Sequence, residues 1–167
     1  MSEPLESDCC RFANTLACWV AFSLLQQRTF AFLSTEATSF GQDFENSTEG
    51  ATRVLTRIND LARFVDGGDI QHETWAVVHQ LQAADRSRQG LEQVASVLNT
   101  LGILHSDLVT ASDSPADMPK AEEMTEKWIT ALVANVSLAD WRRRLDDALH
   151  GRAPSAAAPI EGDEELF

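Results

Sequence analysis

The chain has no tyrosine, and its basic residues are few: 13 Lys and Arg stand against 26 Asp and Glu, a formal charge of −13. An anionic surface of that size repels phosphate backbones and acidic lipid alike, so neither nucleic acid nor a membrane is the expected partner. A basic patch on another protein suits it better. Cysteine is equally sparse. Cys9, Cys10 and Cys18 form an odd, clustered set that fits reduced thiols and not a disulfide framework, and no second His or Cys group lies at zinc-ligand spacing. Long hydrophobic runs are also missing, because the most apolar stretch, Leu16 to Leu25, is too short to span a bilayer and is followed by Gln26, Gln27 and Arg28. Glu3, Glu6 and Asp8 stand where an export signal would carry positive charge. The expected compartment is the cytoplasm.

Strand signals are as scarce as tyrosine, and helical periodicity takes their place. The fold class read from the sequence is all-α: a helical bundle of residues 1–150 built on a long antiparallel hairpin over about 70–150. Phe12, Leu16, Trp19, Val20, Phe22, Leu24, Phe30 and Leu33 give a first helix over about 8–40 an apolar surface broad enough for contacts on more than one side. Gly41 to Gly50 reads as a polar connection, and Val54, Leu55, Ile58, Leu61, Ala62 and Val65 as a short second helix. Asp66-Gly67-Gly68-Asp69 supplies a stop and a new N-cap.

From Ile70 to Thr110 there is no proline, and Val77, Leu81, Ala84, Leu91, Val94, Leu98, Leu101 and Leu108 mark one seam. Such a helix would reach roughly 60 Å, so a hairpin is expected, with Gly90 or Gly102 as places to bend. Ser112 to Pro119 is the loop, with Ser114 as cap and Pro115 in the first helical position. The return helix runs to about His150, with Met124, Trp128, Leu132, Leu138, Leu145 and Leu149 inward. Arg142 is expected to pair with Asp146, and Arg143 with Asp147. Residues 151–160 are an Ala- and Pro-rich linker, and 161–167 an acidic peptide ending in Leu166 and Phe167 that suits docking on a basic, grooved partner.

One stretch carries candidate chemistry: Leu81-Gln82-Ala83-Ala84-Asp85-Arg86-Ser87-Arg88-Gln89-Gly90-Leu91-Glu92-Gln93-Val94. At about 100° per residue Asp85 and Gln89 lie one above the other, about 90 to 130° away from the local seam of Leu81, Ala84 and Leu91. They are therefore expected to face solvent. A carboxylate beside an amide on a rigid helix can enter another protein's active site, the amide holding a water and the carboxylate pairing with a lysine.

In these residues, in the long hairpin and in the acidic, apolar C-terminal peptide, the sequence resembles the CheZ family and its shorter CheT-like relatives. These dephosphorylate the chemotaxis response regulator CheY. The resemblance implies a protein phosphatase of the regulator's aspartyl phosphate, with Gln89 aligning the attacking water and Asp85 engaging the regulator's active-site lysine. It further implies partner contacts by Gln82 and Arg86, docking by Asp163, Glu164, Glu165, Leu166 and Phe167, and a homodimer. It requires no metal or cofactor in this chain; Mg2+ is expected in the regulator. Other chemotaxis proteins are possible partners.

A non-enzymatic alternative is a helical adaptor or phasin-like coat that binds through its N-terminal helix and its tail. His72, Glu73 and His79 lack the spacing of a zinc helix, and the histidines read as helix-surface residues. Trp19, Trp75, Trp128 and Trp141 read as core or interface anchors.

Overall fold

The structure is a computed structural model that describes the backbone of residues 3–61 and 68–153, and the side chains of residues 9–58, 60 and 73–153. Among the described residues there is no strand, as the sequence pattern predicts. The helices are α1 (Glu3–Leu61), α2 (Gly68–Ser112), α3 (Ala121–Ala134) and α4 (Ala139–Leu149), with a 3-10 turn at Pro115–Asp117. The stop expected at Asp66-Gly67 lies outside the described residues, as do the linker from Pro154 onward and the peptide 161–167.

Two expectations about the elements are corrected. Gly41 to Gly50 is not a connection: α1 runs through it without a break. The expected return helix is two short helices, α3 and α4, separated at Asn135 to Leu138, and Leu138 is exposed there instead of facing inward. Within residues 30–105 the antiparallel partner of α2 is α1 and not the expected return helix.

The described residues divide into two compact units, residues 3–29 with 106–153, and residues 30–61 with 68–105. In the first, Cys18, Phe22 and Leu25 of α1 are buried, as are Leu108, Met118, Trp128, Ile129, Leu132, Val136, Trp141, Leu145 and Leu149. Trp128 therefore meets its expectation as a core anchor, as does Trp141. Trp19 is half-buried and donates from Nε1 to the Ser112 hydroxyl at 3.0 Å, which ties α1 to the end of α2. Asn14 donates to the carbonyls of Pro119 (3.1 Å) and Met118 (3.4 Å), and the Cys18 thiol to that of Pro119 (3.8 Å). These bonds satisfy backbone acceptors just ahead of α3, and burial pushes the Cys18 thiol pKa up.

The ion pairs expected in α4 are also different. The Arg142 guanidinium donates to the Val136 carbonyl at 2.5 and 2.9 Å, closing the break between α3 and α4, and Arg143 pairs with Asp140 at 2.7 Å. Asp146 and Asp147 instead hold Arg152, at 2.5 and 3.3 Å. A backbone carbonyl orphaned by the break attracts Arg142 more effectively than the half-buried Asp146 carboxylate one turn away, which Arg152 already holds.

The end of α4 is built around a left-handed residue. Gly151 has φ 68°, and its N–H donates to the Ala148 carbonyl, while Arg28 Nη1 of α1 donates to the Leu149 carbonyl at 2.8 Å. A Cβ on Gly151 would stand 2.9 Å from Arg28 Nη2. Gly151→Ala therefore combines a disfavoured φ with displacement of the arginine that caps the helix, and it should lower stability by about 1–2 kcal/mol in chemical denaturation. An unchanged denaturation midpoint would show that this cap carries no stability.

In the second unit α1 and α2 run antiparallel. A Cβ on Gly50 would meet the Gln80 side chain and one on Gly90 would collide with the Phe40 ring, while Arg57 pairs with Glu73 at 3.0 Å. Gly90 thus makes room for an aromatic ring, and α2 remains one helix through it and Gly102. Glu73 is buried with Arg57 as its ion-pair partner, and His79 is exposed as expected. Among the described residues of this unit the buried apolar ones are Leu33, Ala51, Val94, Val97 and Leu101, interleaved with buried Glu36, Ser47, Ser87 and Thr100.

By length and composition, stretches within α1 (Cys9–Ile58) and α2 (Glu73–Ser112) reach mean hydropathy 1.2 over 18 residues, enough to cross a membrane. The contiguous run Leu16 to Leu25 understates the apolarity of α1, since Gln26, Gln27 and Thr29 interrupt the run without adding charge. Arg28 is engaged with Leu149.

Candidate functional site

Asp85 and Gln89 stand on α2 where the helix presents its outer side. The side that faces α1 is made of small residues: Ala83 is half-buried, Ser87 is 3% exposed and Gly90 lies under Phe40. Ser87 satisfies its own hydroxyl by donating to the Ala83 carbonyl at 3.2 Å. Because Asp85 and Gln89 lie away from that side, both are exposed, in accord with the helical geometry.

The two side chains touch. Gln89 Nε2 donates to Asp85 Oδ2 at 2.7 Å, while Asp85 Oδ1 accepts from Arg88 Nε at 3.1 Å and from Arg88 Nη2 at 3.0 Å. Arg88 continues to Glu92, so the four residues form a chain of alternating charge and amide along one helix. An ionised carboxylate only accepts hydrogen bonds, which fixes the amide with its nitrogen toward Asp85. Gln89 Oε1 is left directed away from Asp85, able to accept from a water, and the second Nε2 hydrogen remains to donate.

These contacts set the protonation state. The hydrogen bonds from Arg88 and then from Gln89 hold the Asp85 carboxyl below its ordinary pKa, and Asp85 together with Glu92 raises that of Arg88. A lowered carboxylate pKa means that the charge survives as pH falls through the usual carboxylate range, and is lost only on passing through the lowered value. Arg88→Ala should therefore raise the Asp85 pKa toward the ordinary value, as a carboxyl-carbon NMR titration would read. An unmoved titration would remove Arg88 as the cause.

Gln82 and Arg86 are exposed on the same stretch, and with Val78, Leu81 and Asp85 they line a shallow depression of about 580 Å³. The cation bound to Asp85 is Arg88 and not Arg86. On its other side Arg86 borders a polar cleft of about 440 Å³ shared with Phe40, Asp43, Asn46, Ser47 and Gln80. The structure thus brings Gln82, Asp85, Arg86 and Gln89 together. Asp163, Glu164, Glu165, Leu166 and Phe167 lie outside the described residues.

Leu81 overturns part of the expected seam. It is 59% exposed, and Leu91 and Leu98 are exposed with it, whereas Val94, Leu101 and Leu108 are buried as expected and Val97 joins them. The spacing of Asp85 to Arg88 and of Arg88 to Glu92 was the available signal for the charge chain; the outward turn of Leu81 had none, since a leucine in a periodic run reads as core. Among the described residues no three His, Cys, Asp or Glu side chains gather as a metal-ligand group. Comparison with models of protein families, with curated proteins and with solved structures finds no match for this chain.

Proposed function

We propose that this chain is a protein phosphatase that speeds hydrolysis of the aspartyl phosphate of a CheY-like response regulator, ending its signal. The observation that carries this reading is the exposed, mutually bonded pair of Asp85 and Gln89 on a helix rigid enough to enter a partner's active site. In the reaction a water oxygen attacks phosphorus as the bond from phosphorus to the regulator's carboxylate oxygen breaks. The carboxylate is regenerated, and both water protons leave with the phosphate as H2PO4−. Gln89 accepts a hydrogen bond from the attacking water through Oε1 and so aims its lone pair at phosphorus. Asp85 holds the amide in that orientation and exchanges its exposed partner Arg88 for the regulator's active-site lysine, an exchange that costs little because both side chains are solvated. The magnesium belongs to the regulator, and the compartment is the cytoplasm.

Phosphate release from purified phosphorylated regulators, with and without the chain, tests this directly. Acceleration that depends on Gln89 supports the reading, and no acceleration with any regulator of a chemotaxis panel refutes it.

A second reading, a helical adaptor or coat, has its own observation. Phe12, Leu16, Val20 and Leu24 are exposed on α1, and residues 12–27 carry no charge. In that case Leu16→Glu and Val20→Glu, which leave the buried Cys18, Phe22 and Leu25 in place, would abolish association while changes at Gln89 would do nothing.

A further inference from the structure

The side of α2 that carries Asp85 and Gln89 is not polar throughout. About one, two and three turns before Asp85 stand three large apolar side chains, Leu81 (59% exposed), Val78 (36%) and Trp75 (61%). The spacings from Val78 to Gln82, Asp85 and Gln89 are four, three and four, and Leu81 lies one turn below Asp85, so apolar and polar members share one helix face. Val78 and Leu81 line the depression of about 580 Å³ together with Gln82, Asp85 and Arg86.

This arrangement inverts the usual distribution. In the same stretch the positions turned toward α1 are Ala83, Ser87 and Gly90, while tryptophan, valine and leucine face water. Scattered exposed apolar residues need no explanation, but three on one face, continuous with a bonded polar pair and opening a concavity beside it, have the composition of an interface centre with a polar rim.

We infer that Trp75, Val78 and Leu81 form the docking surface for the receiver domain whose aspartyl phosphate Asp85 and Gln89 serve, the depression taking an apolar side chain that borders the receiver's phosphorylation site. The inference rests on the function proposed above and adds the residues that determine affinity. Charge selects this occupant. A phosphorylated receiver site presents a phosphoryl anion and a lysine cation side by side, and the depression offers Arg86 and Asp85 side by side in return. The stretch is also locally neutral in a chain of charge −13, since Asp85 and Glu92 are balanced by Arg86 and Arg88. A phosphorylated acidic site can approach here without the repulsion that the rest of the surface would impose.

The test uses the full chain and a receiver domain phosphorylated by a small acyl phosphate, with receiver binding and phosphate release measured separately. Leu81→Glu, and more mildly Trp75→Ala, should raise KM and Kd at least about tenfold while kcat stays within about twofold, since neither side chain touches the reacting atoms. Far-ultraviolet circular dichroism should be unchanged, because both side chains are outside the core. An active wild type whose KM is indifferent to Leu81→Glu overturns the docking surface and spares the phosphatase. Dissociation of a dimer by Leu81→Glu with KM unchanged overturns it too, and assigns the face to a second copy of the chain. Receiver binding that depends on Leu81 without any phosphate release supports the docking surface and refutes the proposed catalysis. Absence of both binding and release overturns the two together.

Discussion

Trp128→Ala should be the most damaging single truncation in this protein, lowering stability by about 3–5 kcal/mol. Trp128 is 3% exposed and meets Phe22, 1% exposed, edge to face with ring centroids 5.1 Å apart and planes at 77°. That contact joins α3 to α1, in a unit whose core also buries Cys18, Leu25, Leu132 and Leu145. The loss therefore combines the transfer free energy of the ring with the cavity it leaves. For a unit of this size each kcal/mol moves the melting temperature by about 4–8 °C, so a fall of more than about 10 °C is expected by calorimetry. A double-mutant cycle with Phe22→Leu should return a coupling of about 0.5–1.5 kcal/mol for the aromatic geometry beyond area alone. A loss below about 1 kcal/mol for Trp128→Ala would mean that α3 does not depend on this contact.

Trp128 was legible in the sequence because it sits in a clean apolar stripe with Leu132, and the all-helical class was legible for the same reason in every segment. The continuity of α1 was not. Gly41, Asn46, Ser47, Thr48 and Gly50 together read as a turn, and Ser and Thr hydroxyls do compete with helix backbone. In the structure those hydroxyls turn inward on their own helix: Thr35, Thr38, Thr48, Thr52 and Thr56 each donate to the carbonyl four residues earlier, at 2.8 to 3.1 Å. Ser47 and Ala51 are buried between α1 and α2, and the bare Gly50 backbone lies under Gln80. Close packing of small residues favours a helix there that local propensity does not, and hydrophobic periodicity is blind to it because the buried side chains are not hydrophobic.

The same blindness explains the misplaced seam of α2. Ser87 and Gly90 fill the inner side, so Leu81 and Leu91, the most apolar residues nearby, read as inner by default although they point outward. The site itself was legible as far as one helix can determine it. Spacing alone put Asp85 over Gln89 and both in solvent. The grip of Arg88 on Asp85, and with it the direction in which the Gln89 amide faces, needed side-chain positions.

That direction decides what Gln89 substitutions should do. Gln89→Ala removes the acceptor for the attacking water and the donor to Asp85 but leaves a strong helix former at an exposed position, so fold and partner affinity should persist. An oriented group of this kind is worth about 10²-fold or more in turnover, and kcat should fall by at least that factor with KM little changed. Gln89→Glu is the sharper test. It is nearly the same size and keeps an acceptor, yet it cannot donate to Asp85, and it sets two carboxylates one helical turn apart. The introduced carboxylate should swing away from Asp85, and its negative charge should repel the phosphoryl oxygens, so turnover should fall at least as far as in the alanine variant. If Gln89→Glu retained activity while Gln89→Ala lost it, any acceptor would suffice and the bond from Nε2 to Asp85 would be incidental. If both retained it, the amide would have no part in the hydrolysis, and the chemistry would have to come from the regulator alone.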